Sequence, residues 1–135
     1  DLVLPRESLV LARDAFLLAC YTGLAYSDLK MLKKNQIIEE HGDLWIKTFR
    51  TKSKVKAEIM LLTPALRLID KYKDNPVSSI KGLVIPIVSN QKVNNHLKEI
   101  AKLCQIEKTL VFHLARHTFA TTVTLAKGIS MVLSH

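Results

Sequence analysis

The spacing of hydrophobic residues predicts a helix near the start of the chain. Apolar side chains recur at intervals of three and four over residues 9–21, which is the period of one face of an α-helix. Ser8 is the expected N-terminal cap, and Gly23 is the expected closing residue because glycine readily adopts the left-handed conformation. A second, short helix is expected to be capped by Ser27 and to end at about Leu32.

The pattern then changes to one that is typical of strands. Residues 36–39 and 44–49 are short stretches bounded by polar residues, and the turn signal His-Gly-Asp lies between them. A third such stretch, 57–62, follows the polar residues 50–56. Three consecutive strands predict a small antiparallel sheet.

The rest of the chain returns to helical spacing. Thr63, followed by a proline, is expected to cap a helix that ends at about residue 73. Residues 83–88 are expected to be extended. Ser89 or Asn90 should then cap a helix that keeps its apolar period as far as residue 104.

A long final helix is expected from His113 to Gly128, and residues 130–135 have the pattern of the start of another helix. The chain has 135 residues, which is room for one domain. The predicted fold class is therefore α+β, mostly α: a helical domain with a small three-stranded antiparallel sheet.

Composition excludes several classes of protein. A hydrophobic content of 48% excludes intrinsic disorder. The longest uninterrupted apolar run, residues 15–21, is far short of the roughly 20 residues that a membrane span needs. The first residues lack the basic start and apolar stretch of a signal peptide. Cys20 and Cys104 are too few for a disulfide scaffold, so we expect a reducing, cytoplasmic setting.

The net charge of the protein indicates what kind of partner it binds rather than how it folds. Twenty Lys and Arg against 12 Asp and Glu give a net charge of +8. Nucleic acid is the first candidate partner, because each neutralised phosphate releases counterions. A basic protein whose lysines are simply solvated explains the charge equally well.

The densest polar cluster is Phe-His-Leu-Ala-Arg-His-Thr-Phe at residues 112–119. His113 and Arg116 are three apart on a predicted helix and share a face, where a histidine beside a guanidinium suits a phosphate. The alternative is an ordinary amphipathic helix with a capping histidine. His113 and His117 are four apart and could chelate zinc, but no acidic residue lies between them and Arg116 does. We therefore predict no metal site.

Two segments carry a resemblance to a known family. Residues 113–121, His-Leu-Ala-Arg-His-Thr-Phe-Ala-Thr, closely resemble the His-x-x-Arg box of tyrosine recombinases, the phage-integrase family. Residues 22–29, Thr-Gly-Leu-Ala-Tyr-Ser-Asp-Leu, resemble the first box of that family, and the separation of the two boxes fits. The resemblance implies the catalytic domain of an integrase of a conjugative transposon or a similar mobile element. Residues 1–135 would be a C-terminally incomplete catalytic domain, without the amino-terminal arm and the core-binding domain.

The resemblance also implies roles for individual residues. His113 and Arg116 would bind the phosphate at which the DNA strand is cut. Lys52, between the second and third predicted strands, matches the hairpin lysine of the family and would be the general acid that protonates the departing 5′-oxygen. His135 is similar to the later His or Trp of the family. Asp28 is expected to support the first box rather than to perform chemistry.

The implied activity is site-specific DNA recombination, in which a tyrosine attacks a backbone phosphate and forms a 3′-phosphotyrosine. The implied partner is double-stranded DNA, on which family members act as tetramers; no cofactor, metal or membrane is expected, and the location would be the bacterial cytoplasm, at the nucleoid. All three tyrosines, Tyr21, Tyr26 and Tyr72, precede the His-x-x-Arg box, whereas the attacking tyrosine should follow it. We therefore expect the nucleophile beyond His135, and this chain alone to be inactive.

One departure from the family pattern favours a different function. Ala25 stands where the family usually has its first phosphate-binding arginine, and alanine offers neither charge nor donor. Together with the missing tyrosine, this supports the alternative of a non-catalytic DNA-binding module derived from a recombinase. A basic helical domain whose His-x-x-Arg match is accidental is a third alternative.

Overall fold

The elements follow one another as helix, sheet and helix, which confirms the predicted fold class. In this computed structural model the described residues are 7–106, 110–115 and 118–119. The first helices are α1 (Glu7–Thr22) and α2 (Tyr26–Lys30), followed by a 3-10 turn (Lys34–Gln36). The strands are β1 (Ile37–Glu40), β2 (Asp43–Phe49) and β3 (Lys56–Met60), and the later helices are α3 (Thr63–Lys71), α4 (Pro76–Lys81) and α5 (Asn90–Leu103).

The sheet is antiparallel with the order β1-β2-β3. Ile38 pairs with Trp45, and Trp45 pairs in turn with Met60. His41 and Gly42 form the turn between β1 and β2, and both have positive φ angles (53° and 84°). Positive φ at both central residues is the signature of the two-residue turn whose twist matches that of the flanking strands. All three predicted strands are present, with ends shifted by at most two residues.

Helix α1 is the centre of the core. It contacts α3 and α5, and its side chains at helical spacing are fully covered. The inner face of the sheet contributes Ile46 and Ile59 to this core, and α5 contributes Val93 and Leu97. Because burial of apolar surface is the main favourable contribution to folding, this layer of helices against one sheet face is the core that stabilises the fold.

A buried carboxylate joins α1 to the end of α3. Asp14 is 1% exposed, and its Oδ2 accepts hydrogen bonds from Lys71 Nζ and Tyr72 Oη, each at 2.6 Å. Arg13 Nη2 lies 3.2 Å from Asp14 Oδ1. Burial, and then the hydrogen bond to Asp14, raise the pKa of Tyr72 above its ordinary value. The sequence analysis missed this pairing because its partners are far apart along the chain.

Three expected helix caps are wrong. α1 begins at Glu7, so Ser8 lies inside the helix. The caps of α2 and α3 are Ala25 and Leu62, neither with a side-chain cap hydrogen bond, while Ser27 and Thr63 lie within the first turns. In α2 the chain enters the helix directly from the tight turn at Gly23, so Ser27 lies in the first turn and not at the cap. Ser89 is confirmed as the cap of α5: its Oγ accepts from Lys92 N at 3.3 Å.

Helix α4 was not expected. Asn75 caps it by accepting from the backbone N–H groups of Val77 (3.0 Å) and Ser78 (3.2 Å), and Gly82 closes it with φ 68°. An asparagine followed by proline, with a glycine after the last turn, is a helix signal that was available in the sequence.

Two further expectations concern the last third of the chain. Residues 83–88 were expected to be extended, but they form no strand: Leu83 makes an isolated antiparallel bridge with Lys33, and bends and irregular backbone follow it. Residues 114–115 and 118–119 are helical, which agrees with a helix starting near His113. The expected end of that helix at Gly128, and residues 130–135, lie outside the described residues. Within the described ranges, no helix is long and apolar enough to cross a membrane.

Candidate functional site

A cleft of about 540 Å³ lies where four separate segments of the chain meet. Its walls are residues 25–28 at the start of α2, residues of the β2–β3 loop, two asparagines of α5, and residues 111–113. Lys52 and His113 both line this cleft, although they are far apart in sequence. Ala25 and Asp28 line it as well.

The β2–β3 loop is a closed turn that holds Lys52 at the rim. Arg50 N donates to Val55 O and Lys54 N donates to Arg50 O, both at 2.8 Å, so the base of the loop is fastened. Lys52 is exposed at its tip. Lys54 and Lys56, the next two lysines along the chain, do not line the cleft.

Lys56 is instead engaged on the sheet. Its Nζ lies 2.9 Å from Glu58 Oε1, and this hydrogen bond and ion pair raise the pKa of Lys56 and lower that of Glu58. Among the lysines of this hairpin, Lys52 is therefore the one whose ammonium group belongs to the cleft.

Asp28 ties the loop to α2. It is 9% exposed, and its Oδ1 accepts from Thr51 N at 2.7 Å and from Thr51 Oγ1 at 2.6 Å. Thr51 directly precedes Lys52, so the carboxylate fixes the backbone from which the lysine extends. Asp28 thus has the supporting position expected from the sequence.

Residues 111–113 form another wall of the cleft, and they are positioned by an aromatic cluster around Phe112. Phe112, 2% exposed, makes edge-to-face contacts with the rings of Phe16 and Tyr26, at centroid distances of 6.5 and 5.6 Å. Its backbone N–H donates to Asn94 Oδ1 at 2.8 Å. Because Phe112 is anchored on both sides, the exposed side chain of His113 next to it lies in the cleft wall.

The two boxes of the sequence pack directly on each other. Gly23 has φ +72°, and a Cβ atom at that position would lie 2.6 Å from Cδ2 of the Phe119 ring. Cys20 lies near the end of α1; burial raises the pKa of its thiol, and the neighbouring Thr118 lowers it by less. Glycine is required at position 23 both by the backbone conformation and by this close approach.

Arg50 is a residue of the cleft that the sequence analysis missed. It follows β2, is half-buried, and lines the same cleft as Ala25. Its Nη1 atom is buried and has no hydrogen-bond partner among the described residues. Nothing in the linear pattern separates Arg50 from the other basic residues of the hairpin, since only the fold brings it next to α2.

Several predicted site residues cannot be placed in this way. Arg116, His117 and His135 lie outside the described residues, so the relation of Arg116 to the cleft remains a prediction. In the described part of the chain, no group of three or more His, Cys, Asp or Glu side chains could hold a metal ion.

The hydroxyl groups of two of the three tyrosines are engaged elsewhere. The buried hydroxyl of Tyr72 donates a hydrogen bond to Asp14, as described above. Tyr26 lines the cleft with its ring, but its hydroxyl donates to the carbonyl oxygen of Val88. Tyr21 is half-buried and lines a separate groove beside α3.

Comparison with known proteins gives matches over most of the chain. The model of the phage integrase family matches residues 7–131. A solved structure of XerH site-specific recombinase bound to difH substrate, a pre-cleavage complex, is similar with 19% identity and a TM-score of 0.64, covering 93% of this chain and 39% of that chain. The XerH post-cleavage complex with palindromic difH substrate gives 17% identity and a TM-score of 0.64, covering 90% and 37%. XerA recombinase gives 20% and 0.56, covering 91% and 50%.

No curated protein sequence matches significantly. The chain spans half or less of the length of each of these recombinases. At such low sequence identity, the solved structures show a shared fold only. The family is shown by the family model, which matches nearly all residues. Its helices, its three-stranded sheet and this match show that the chain belongs to the phage integrase family, the tyrosine recombinases.

Proposed function

We propose that the protein cuts and rejoins DNA strands in site-specific recombination, and that the cleft holds the phosphate at which the strand is cut. The observation that carries this proposal is the meeting of Lys52 and His113 in one cleft with the first box. The two basic side chains come from a sheet hairpin and from the segment before the last helix. Their convergence is a property of the fold and not of the sequence order.

The chemistry requires positive charge and a proton donor. When a phenolate attacks a backbone phosphate, negative charge grows on the non-bridging oxygens and on the departing 5′-oxygen. His113 and Arg116 stabilise the first, and Lys52 donates a proton to the second. Removal of one such preorganised donor raises the barrier by about 2.7–4 kcal/mol in enzymes that stabilise an oxyanion. The energy of the broken bond is kept in the phosphotyrosine, so the reaction needs no cofactor.

The attacking tyrosine is proposed to follow His135. The engagement of Tyr72 with Asp14 and of Tyr26 with Val88 supports this, because a phenol must reach within about 3–3.5 Å of phosphorus to attack. Tyr21 lines the groove beside α3 rather than the cleft. The 135-residue chain is therefore expected to bind DNA without forming a covalent bond to it.

Double-stranded DNA is the proposed partner. The proposed assembly is a tetramer on two duplexes, and its proposed location is the bacterial cytoplasm. The net charge of +8 supports a nucleic-acid partner, and the similar XerH structures are of complexes with their difH substrates. A chain that neutralises Z phosphates loses affinity with log salt at a slope of about −0.9Z. Weak, salt-dependent binding with little sequence preference is expected from this domain alone.

Titration of a labelled 20-base-pair duplex, followed by fluorescence anisotropy at several salt concentrations, tests DNA binding. Lys52→Ala should weaken binding about tenfold at low salt, since a charge-assisted contact is lost. Lys98→Ala is the matched control, because Lys98 is an exposed lysine of α5 that does not line the cleft. Equal effects of the two substitutions, or salt-independent binding, would contradict the proposal.

A non-catalytic DNA-binding module is the second candidate function, and Ala25 favours it because a methyl group lines the cleft where the family has an arginine. A nicked duplex that traps the covalent intermediate separates the two functions. A protein extended beyond His135 to include the next tyrosine should form an adduct that survives denaturation, and His113→Ala should reduce its formation. Failure of the extended, folded protein to form any adduct would favour the non-catalytic module.

A further inference from the structure

Arg50 lines the cleft, and its guanidinium includes a nitrogen that has no hydrogen-bond partner among the described residues. It is half-buried, and its Nη1 atom is buried without an acceptor. Buried polar groups are nearly always paired, and a charged nitrogen without a partner costs more than a neutral one. A guanidinium left in this state at the wall of a cleft is suited to an anion that enters from outside.

The described residues around Arg50 hold its backbone but provide no partner for its charge. Its N–H and C=O groups bond to Val55 and Lys54 across the loop base, which fixes the point from which the side chain extends. Asp28, the acidic residue of the cleft, uses Oδ1 for both bonds from Thr51. No acidic side chain in the described part of the chain forms an ion pair with Arg50.

Position 25, which lines the same cleft, lacks the group that Arg50 can supply. Ala25 lines the same cleft and contributes only a methyl group. A guanidinium is permanently charged and planar, and it can donate two parallel hydrogen bonds to the oxygens of one phosphate. Arg50 therefore brings to the cleft, from the hairpin, the chemistry that position 25 lacks.

We propose that Arg50 is a phosphate-binding residue of this cleft, donating to the non-bridging oxygens of a DNA backbone phosphate in place of a side chain at position 25. This inference rests on the proposed function, since it takes the ligand of the cleft to be DNA. It differs from that proposal in assigning the missing cation to a residue outside both sequence boxes.

The test uses the 135-residue chain and the labelled 20-base-pair duplex at 50–200 mM NaCl. Arg50→Ala should weaken binding about tenfold at low salt and reduce the salt slope by about 0.9, as expected for the loss of one phosphate contact. Arg67→Ala is the matched control, because Arg67 is exposed on α3 and lies outside the cleft. It should change the affinity less than twofold.

A rescue variant separates phosphate binding from a structural role. Ala25→Arg in the Arg50→Ala background returns a guanidinium to the same cleft from the start of α2, and should recover most of the lost affinity and slope. Ala25 has φ −69°, which arginine adopts without strain. A loss of packing at position 50 would not be repaired by a side chain at position 25. If Arg50→Ala does not fold, Arg50→Gln, which keeps the β- and γ-methylene groups and a polar end without the charge, should show the same loss and the same rescue.

The outcomes distinguish this inference from the function on which it rests. Wild-type binding that is weakened by Lys52→Ala but not by Arg50→Ala overturns the role of Arg50 alone. Loss without rescue by Ala25→Arg also overturns it, because position 25 would then not share its ligand. Absence of any salt-dependent DNA binding by the wild-type chain overturns the proposed function and this inference together.

Discussion

The tether between Asp28 and Thr51 gives a prediction that can be worked out from the structure. Asp28→Ala removes the acceptor of two hydrogen bonds, from Thr51 N at 2.7 Å and from Thr51 Oγ1 at 2.6 Å. A hydrogen bond to a charged group contributes about 1.5–3 kcal/mol. Thr51 is exposed, so water replaces part of the loss, and we expect the loop to be destabilised by about 2 kcal/mol. A factor of ten corresponds to about 1.4 kcal/mol, so the Thr51 amide should exchange about 30-fold faster.

Amide hydrogen exchange followed by NMR is the appropriate measurement. DNA affinity would combine two effects of opposite sign, because removing Asp28 frees the loop but also removes a negative charge from the cleft. Asp28→Asn keeps an acceptor oxygen and should retain most of the protection of Thr51. Asp70→Ala is the control: that carboxylate is exposed and pairs with Lys73 at 3.2 Å. A Thr51 amide in Asp28→Ala that exchanges within threefold of the wild-type rate would refute the tether.

Three further predictions concern the packing of the helices. Gly23→Ala should lower the free energy of unfolding, measured by urea denaturation, by about 3 kcal/mol. The substitution places a Cβ atom on a left-handed backbone and against the ring of Phe119. A loss below about 0.5 kcal/mol would show that the ring moves aside freely. The raised pKa of Tyr72 keeps the folded phenol protonated after the unfolded one ionises, so stability should fall as the pH rises above 10, and Tyr72→Phe should remove that part of the fall. An iodoacetamide time course should label exposed Cys104 before buried Cys20, whose thiol has a raised pKa; equal rates would contradict the burial of Cys20.

Much of the fold could be predicted because its signals are local. Hydrophobic period and turn residues predicted the strands and, of the labelled helices α1–α5, all but α4 to within two residues, and the His41-Gly42 turn needs only its own two residues to form. The errors lie where tertiary packing decides. Ala25 caps α2 although Ser27 has the better side chain for a cap, because the chain must enter the helix from the tight turn at Gly23.

The site was predictable only in part, for the same reason. The resemblance of the two boxes brought attention to His113, Ala25 and Lys52, which line one cleft. Arg50 carries no local signal, since its importance depends on an unpaired nitrogen and on its distance from α2 in space. A contact between residues far apart in sequence leaves no trace in hydrophobic periodicity.

A crystal structure of the chain with a short DNA duplex tests the central claim most directly. We expect a backbone phosphate in the cleft, within hydrogen-bond distance of His113 and Arg50, with Lys52 reaching the 5′-oxygen of the same phosphate. A duplex bound on another face, leaving the cleft without a phosphate, would contradict the proposed function.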